Sequence, residues 1–387
     1  VVQKSKRTSF PRRRLWSKPA RTVTVIALLA AMAGLSAFAG CSCQTVAKKT
    51  AGSTPKKPVS AVTTCPLCGR KVQDAALIDR RPVAVKVEND PAARPQSGLD
   101  KACVVYEELT EGGVTRFMAI YLCTDADPVG PVRSARPADI EIVFPYYALF
   151  AHCGAGRPVM AMIKQAGLLD IDELSWGGAF WRTHDRRAPH NLYTSTARIR
   201  QAGDTAFPYR QVVSSPFQFM DAKKLKDMAR EREAEQQRAA QASKQGTPYK
   251  PRLSLVNSVV IPYASPCTVT YDYDPATMTF TRYVAGVPHR DLTTGQQLTA
   301  DTVIVQYVTM GSSGIKDVNG AESPELGVIG SGRAQVFVAG RVIDANWQKS
   351  SRAEHTRFVD NSGKVIPIKP GSTWIELVPA DRQAALS

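Results

Sequence analysis

The sequence predicts an α+β protein: a mixed α/β N-terminal part built around a central buried hairpin, followed by a mostly β C-terminal part. Three observations carry this. Residues 81–87, 102–109 and 116–123 read RPVAVKV, ACVVYEEL and RFMAIYLC, and the last two are largely apolar on both strand faces. Residues 137–201 hold short helical stretches with start and stop signals. Residues 250–380 change to β-branched and aromatic runs separated by Asp274-Pro275, Ala339-Gly340, Asn361-Ser362-Gly363 and Pro370-Gly371. With 387 residues, 43% of them hydrophobic, 22% charged, 26 Gly and 26 Pro, the composition excludes a disordered chain, a coiled coil, a collagen and a polytopic membrane protein.

Residues 1–40 have the form of a secretory signal: a cationic start from Lys4 to Arg21, then an uncharged, mostly apolar run from Val23 to Gly40. The run closes on Phe38-Ala39-Gly40-Cys41, which resembles the bacterial lipobox and makes Cys41 the expected lipidation site. The alternative is a plain anchor helix, since 18 residues just suffice to span a bilayer. Either places residues 59–387 on the extracytoplasmic side of the cell membrane. Residues 41–64 read as a flexible tether rich in Ser, Thr, Ala, Lys and Pro. The net charge of +16 raises the question of nucleic acid, but residues 1–58 hold 12 Lys or Arg and no acid. The remainder therefore carries only +4, and no nucleic-acid partner is expected.

The N-terminal α/β domain is expected over residues 65–218. Residues 81–87 form a strand, residues 89–98 a loop broken by Pro91, Pro95 and Gly98, and residues 102–109 and 116–123 a hairpin. Val104, Tyr106, Ile120 and Leu122 share one face of that hairpin. Val105, Leu109, Phe117, Ala119 and Tyr121 share the other. Glu107 then sits on an apolar face, with Arg116 the nearest cation in sequence. Helices are expected at 137–144, 158–166 and 196–201, with a short buried strand at 147–152. Residues 219–249 read as a charged helical linker or insertion, helical over 221–246 but polar all round. The C-terminal domain, 250–380, offers eight strands: 258–261, 268–273, 280–284, 302–309, 334–339, 342–347, 356–359 and 373–378.

Of eight cysteines, Cys65-Pro66-Leu67-Cys68-Gly69 has the form of one zinc knuckle. A structural zinc site takes four ligands, and no second CxxC or HxxxH exists, so no metal is expected and the segment reads as a turn. A turn centred on Gly113 sets Cys103 opposite Cys123. That pair reads either as two small core side chains or as a cross-strand disulfide.

There is no GxSxG, HExxH or P-loop. Polar residues concentrate in turn-rich segments: Gly130 to Pro137 with Arg133, Ser134 and Arg136; Arg186 to Tyr193 with His190, Asn191 and Tyr193; and Arg94 to Gly98. Paired arginines match carboxylate or phosphate, and loops on a rigid frame tend to carry function. The expected ligand-binding set is Arg116, Arg133, Ser134, Arg136, His152, His190, Asn191 and Tyr193, with no cofactor.

These segments resemble a known family. RPVAVKVENDPAARPQSGLDKACVVYEELTEGGVTRFMAIY, GPVRSARP and RRAPHNLYTS, and further on TGQQLTADTVIVQ, GSGRAQVFVAGRVIDANW and PGSTWIELVP, are similar to the YerB-like bacterial lipoproteins, a domain-of-unknown-function family. The resemblance covers about residues 65–380 and implies an exported lipoprotein of two parts, with no established reaction to carry over. Two positions depart from its pattern: Cys103 stands where an acidic residue is usual, and Cys68 where Thr is usual. The helix at 221–246 looks like an insertion.

The function expected first is a cell-envelope binding module for an anionic or sugar-bearing ligand, such as a wall polymer fragment. A scaffold recruiting envelope proteins is the second reading. The third is a hydrolase or transferase on wall material, with Glu107 or Glu111 as acid/base and His190 or His152 as its partner.

Overall fold

Strands apolar on both faces need cover on both, and the fold supplies it by placing the predicted hairpin in the middle of a large sheet. The computed structural model describes residues 62–209, 213–317 and 320–387. The expected signal at 1–40, the lipidation site Cys41 and the tether up to residue 61 lie outside the described residues. No helix among the described residues is long and apolar enough to cross a membrane.

The first part contributes β1 (Thr63–Thr64), β2 (Lys71–Val72), β3 (Val83–Glu88), β4 (Val104–Leu109), β5 (Thr115–Tyr121), α1 (Pro137–Val143), β6 (Leu149–His152), α2 (Arg157–Ala166), β7 (Leu169–Asp172), β8 (Phe180–Arg182), β9 (Leu192–Thr194) and α3 (Thr196–Ala206). A long helix α4 (Ala222–Lys244) follows. The second part contributes β10 (Ser258–Ile261), β11 (Val269–Asp274), β12 (Thr279–Val284), β13 (Val287–Pro288), β14 (Thr299–Ala300), β15 (Thr302–Lys316), β16 (Glu322–Gly327), β17 (Gly330–Val338), β18 (Arg341–Lys349), β19 (Arg357–Val359), β20 (Thr373–Pro379) and β21 (Ala385–Leu386).

An eleven-stranded sheet runs in the order β19-β18-β17-β15-β20-β4-β5-β3-β6-β7, with β16 paired to β15. β20 lies parallel to both β15 and β4, so a strand from the end of the chain joins the two sequence halves into one sheet. The expected division near residues 218 and 250 is therefore a boundary in the sequence and not in the sheet. The described residues all fall within one compact unit. A second, six-stranded sheet (β13-β12-β11-β10-β21, with β14 on β12) packs through its apolar face into the same core as one face of the large sheet.

The hairpin faces fall as the alternation predicts. Val104, Tyr106, Ile120 and Leu122 enter one core with α1 and the β17–β18 hairpin. Val105, Leu109, Phe117, Ala119 and Tyr121 enter the other with Tyr271, Phe280 and Trp374. The register differs from expectation by two residues: Val104 faces Ile120 and Leu109 faces Thr115, so the turn centres on Gly112, whose φ of 68° suits the tight connection.

Glu107 does not meet Arg116. It is fully buried against Arg282 of β12, whose Nη2 lies 2.5 Å from Glu107 Oε2, and it accepts from Thr115 Oγ1 at 2.6 Å and Asn89 Nδ2 at 3.1 Å. The Arg282 guanidinium sits 4.7 Å from the Trp374 ring centre and bonds Tyr271, which in turn donates to Glu376. Helix α4 is likewise not a free linker. Arg232 is buried, bonds the carbonyl of Gly340 and Asn257 Oδ1, and stacks 4.7 Å from Tyr273, while Arg341 reaches Glu231 at 2.9 Å. Polar contacts dock a helix that has almost no apolar face.

Candidate functional site

Residues 130–137 run beside β3, with Arg133 N–H bonded to the Lys86 carbonyl and Val132 bridging Val87. Gly130 is required there: at φ 152° a Cβ would stand 2.8 Å from the Leu192 carbonyl. The segment delivers Arg133, Ser134 and Arg136 to the end of β5, where Arg116 projects. Together with Glu111 of the hairpin turn, the start of α2 and the β15–β16 connection, they line a cleft of about 320 Å³.

Three guanidiniums line this cleft beside the Glu111 carboxylate, and Glu88, just outside the lining, pairs with Arg133. Glu111 takes Arg136 at 2.5 and 2.7 Å, lies 3.8 Å from Arg116 and accepts from Ser323 of β16. Burial opposes its charge, but Arg136 holds its carboxyl down at about 2. Arg133 Nε lies 2.9 Å from Glu88, which also meets His190 Nδ1 at 3.0 Å; burial raises the Glu88 carboxyl above its ordinary value despite Arg133 and the bond to His190. Arg116 donates to the Ser134 carbonyl at 2.8 Å, and burial, then Arg136 and Arg133, lower its pKa to about 10. It remains a cation at neutral pH. Lys316 and Asp317 complete the rim with opposite charges. The lining carries an excess of positive charge, suited to a carboxylate or phosphate.

The structure thus brings together Arg116, Arg133, Ser134 and Arg136, and ties His190 to them through Glu88. It places the other predicted residues elsewhere. His152 is buried on β6, 2.8 Å from Asp170 and 3.0 Å from the Gly154 carbonyl, where it braces the β6–β7 edge. Asn191 bonds the Thr183 carbonyl and Arg182, closing the loop between β8 and β9. Tyr193 is buried against Gly130. For the enzymatic reading, Glu107 is sealed from solvent, and neither His152 nor His190 contacts Glu111. Lys316, Asp317 and Ser323 escaped the sequence reading because a hairpin far along the chain supplies them.

A larger cavity, about 450 Å³, lies among Val143, Phe144, Leu168 and Phe207. Its lining is mostly apolar, its one cation Arg81 bonds the Gly203 and Tyr209 carbonyls, and it holds none of the predicted residues.

The expectation that the Cys65–Cys68 knuckle lacks a second ligand pair is corrected by the geometry. The Sγ atoms of Cys65, Cys68, Cys103 and Cys123 all lie within 4.8 Å of one another in the core. The second pair is not a CxxC motif: it comes from the two ends of the β4–β5 hairpin. These thiols, not the cleft, are the group able to hold a metal among the described residues.

Comparison with known proteins agrees with the architecture. The family described as "Protein of unknown function (DUF3048) N-terminal domain" matches residues 67–209, and its C-terminal domain matches residues 259–375. The "Putative lipoprotein YerB" of Bacillus subtilis (strain 168) is 31% identical over 326 residues, covering 83% of this chain and 88% of that protein. The crystal structure of YerB from Bacillus subtilis superposes with a TM-score of 0.68 at 29% identity, covering 84% of this chain and 99% of that one.

Proposed function

The chain belongs to the DUF3048 family of proteins of unknown function, and from that premise we propose that it is a lipoprotein anchored through Cys41 on the extracytoplasmic face of the cell membrane, binding an anionic envelope ligand in the arginine cleft. The observation that carries the reading is the pairing deficit at the cleft: Arg116, Arg133 and Arg136 against Glu88 and Glu111, in a cavity of about 320 Å³. Phosphate or carboxylate groups of a wall polymer fragment supply the missing charge. The scaffold role of the rigid sheet is then to hold the three guanidiniums apart, since Ser134, Ala135 and Glu111 already fix Arg116 and Arg136.

Calorimetric titration of the full chain in detergent with glycerol-phosphate oligomers and, separately, a muropeptide tests this. Saturable binding weaker by at least about tenfold in Arg133→Ala, equal to about 1.4 kcal/mol, is the expected result. Affinity should also fall with added salt, as it does for exposed charge pairs. Absence of saturation by either probe at millimolar concentration overturns the reading.

A further inference from the structure

We infer that Cys65, Cys68, Cys103 and Cys123 form a closed, structural zinc site that clamps the start of the folded body to the central sheet. β1 and β2 pair as a small hairpin, Thr63 with Val72 and Thr64 with Lys71, and Cys65-Pro66-Leu67-Cys68-Gly69 forms its tip. Gly69 N–H bonds the Cys65 carbonyl at 2.8 Å and turns the chain at φ 68°; a side chain there would strike the Phe219 ring, 2.6 Å from the Cβ position. This turn brings both thiols of the knuckle toward the same point. Across from it, Cys103 precedes β4 and Cys123 follows β5, and their Sγ atoms stand 3.8 Å apart. Cys68 Sγ lies 3.5 Å from Cys123 Sγ.

A zinc–sulfur bond of about 2.3 Å sets tetrahedral sulfurs about 3.8 Å apart. The Cys68–Cys123 and Cys103–Cys123 separations of 3.5 and 3.8 Å match that value, and every pair lies within 4.8 Å. A four-iron cluster has to hold its cysteines farther apart, because the inorganic cube lies between them. Two disulfides would draw the sulfurs together in pairs at about 2.05 Å and give no reason for each pair to approach the other.

All four side chains are buried, and neither histidine nor carboxylate joins them, so the ligand set is complete and closed rather than catalytic. Binding exchanges four S–H bonds for four zinc–sulfur bonds and releases four protons, leaving a net charge of −2. Positive charge stands close: Arg80 and Arg200 both donate to the Leu122 carbonyl, one residue before Cys123. The knuckle also touches the far end of the chain, where Gly371 N–H bonds the Cys68 carbonyl just before β20. One ion would thus fasten the point where the tether enters to the hairpin and to the strand beside it.

The test is elemental analysis of the full chain, purified in detergent without chelator. About one zinc per chain is expected, with all four thiols protected from alkylation until the metal is removed. Replacement by cobalt should give the intense visible bands of a tetrahedral four-sulfur site. Cys68→Ser and Cys123→Ser should lose the metal, while Cys267→Ser should keep it. Because the first two variants can unfold, the decision rests on the wild-type chain. Metal-free protein with four reactive thiols, mapped disulfides between these cysteines, or one iron per chain in place of zinc each overturns the assignment.

Discussion

Arginines meet glutamates in two regions of this molecule, and the two meetings end differently. Between the sheets, Arg282 faces Glu107 and Glu376, all three fully buried. One cation confronts two acids, and the core restores neutrality with a proton: burial, then Glu107, pushes the Glu376 carboxyl up to about 8. The Lys86 cluster does the same, with burial, then Asp139, raising Glu108 to about 7. In the cleft the imbalance has the opposite sign. Arg116, Arg133 and Arg136 outnumber Glu88 and Glu111, and arginine cannot shed a proton at neutral pH. Surplus acid in a core is quenched internally. Surplus arginine on a cleft can be quenched only from outside.

The largest effect that would break this contrast comes from Arg282. Removing it in Arg282→Ala leaves the buried Glu107 without its cation and should cost about 3–5 kcal/mol in urea unfolding. A loss below about 1 kcal/mol would mean that the buried cluster is no strut.

Arg232 tests whether polar docking extends to α4. Its bonds to Gly340 and Asn257 and its stack on Tyr273 make it a main fastener of a helix whose apolar contact is limited to Leu225 and Met228. Arg232→Ala should cost about 1–3 kcal/mol, with faster amide exchange confined largely to α4. Exchange at the wild-type rate would return the helix to the status of a free linker.

A third effect follows from the protons held in the core. A carboxyl whose folded pKa exceeds its ordinary 4.5 binds its proton more tightly in the folded state. Its contribution is complete below about 4.5 and is lost as pH rises through about 8. Relative to Glu376→Gln, the wild type should therefore lose stability from pH 5 toward pH 8 by roughly a few kcal/mol at most, while His289 and His355, whose pKa values burial lowers, act in the opposite direction in both proteins and cancel from the difference. Glu111, held at about 2, works in the other direction: its contribution stands above its ordinary 4.5 and is lost as pH falls toward 2. Denaturant midpoints across pH 3–8 for the wild type and Glu376→Gln separate the two. A wild type that does not lose stability relative to Glu376→Gln between pH 5 and 8 would leave Glu376 without its core proton.

These cases also mark what the sequence makes legible. Alternation assigns Val104 and Val105 to opposite cores because side-chain direction is a local property with period two. Arg133 and Arg136 stand out because they crowd one turn-rich segment, and Arg116 because it is the nearest cation to Glu107. Partner choice is another matter. Glu107 pairs with Arg282, 175 positions away, and the nearby Arg116 turns to Glu111 instead. Helix α4 is mostly exposed, as its polar sequence suggests, but the face that docks it, Met228, Arg232 and Glu235, is mainly charged and so escapes a reading that counts apolar residues. The fourfold cysteine cluster hides for the same reason: Cys103 and Cys123 become a ligand pair only when the hairpin closes.

The smallest stability effect is the most informative about function. Arg133 is a quarter exposed and meets Glu88 through one nitrogen, and Glu88 keeps His190 when Arg133 is gone. Exposed or half-exposed ion pairs contribute about 0–1 kcal/mol, and residues held in reserve for a ligand often cost nothing to remove. Arg133→Ala should therefore unfold within about 1 kcal/mol of the wild type, on either side, while losing affinity for glycerol-phosphate oligomers or the muropeptide. Unfolding shifted by the several kcal/mol expected of Arg282→Ala would make Arg133 another strut. Two arginine clusters would then share one role, and the cleft would lose its claim to an external anion.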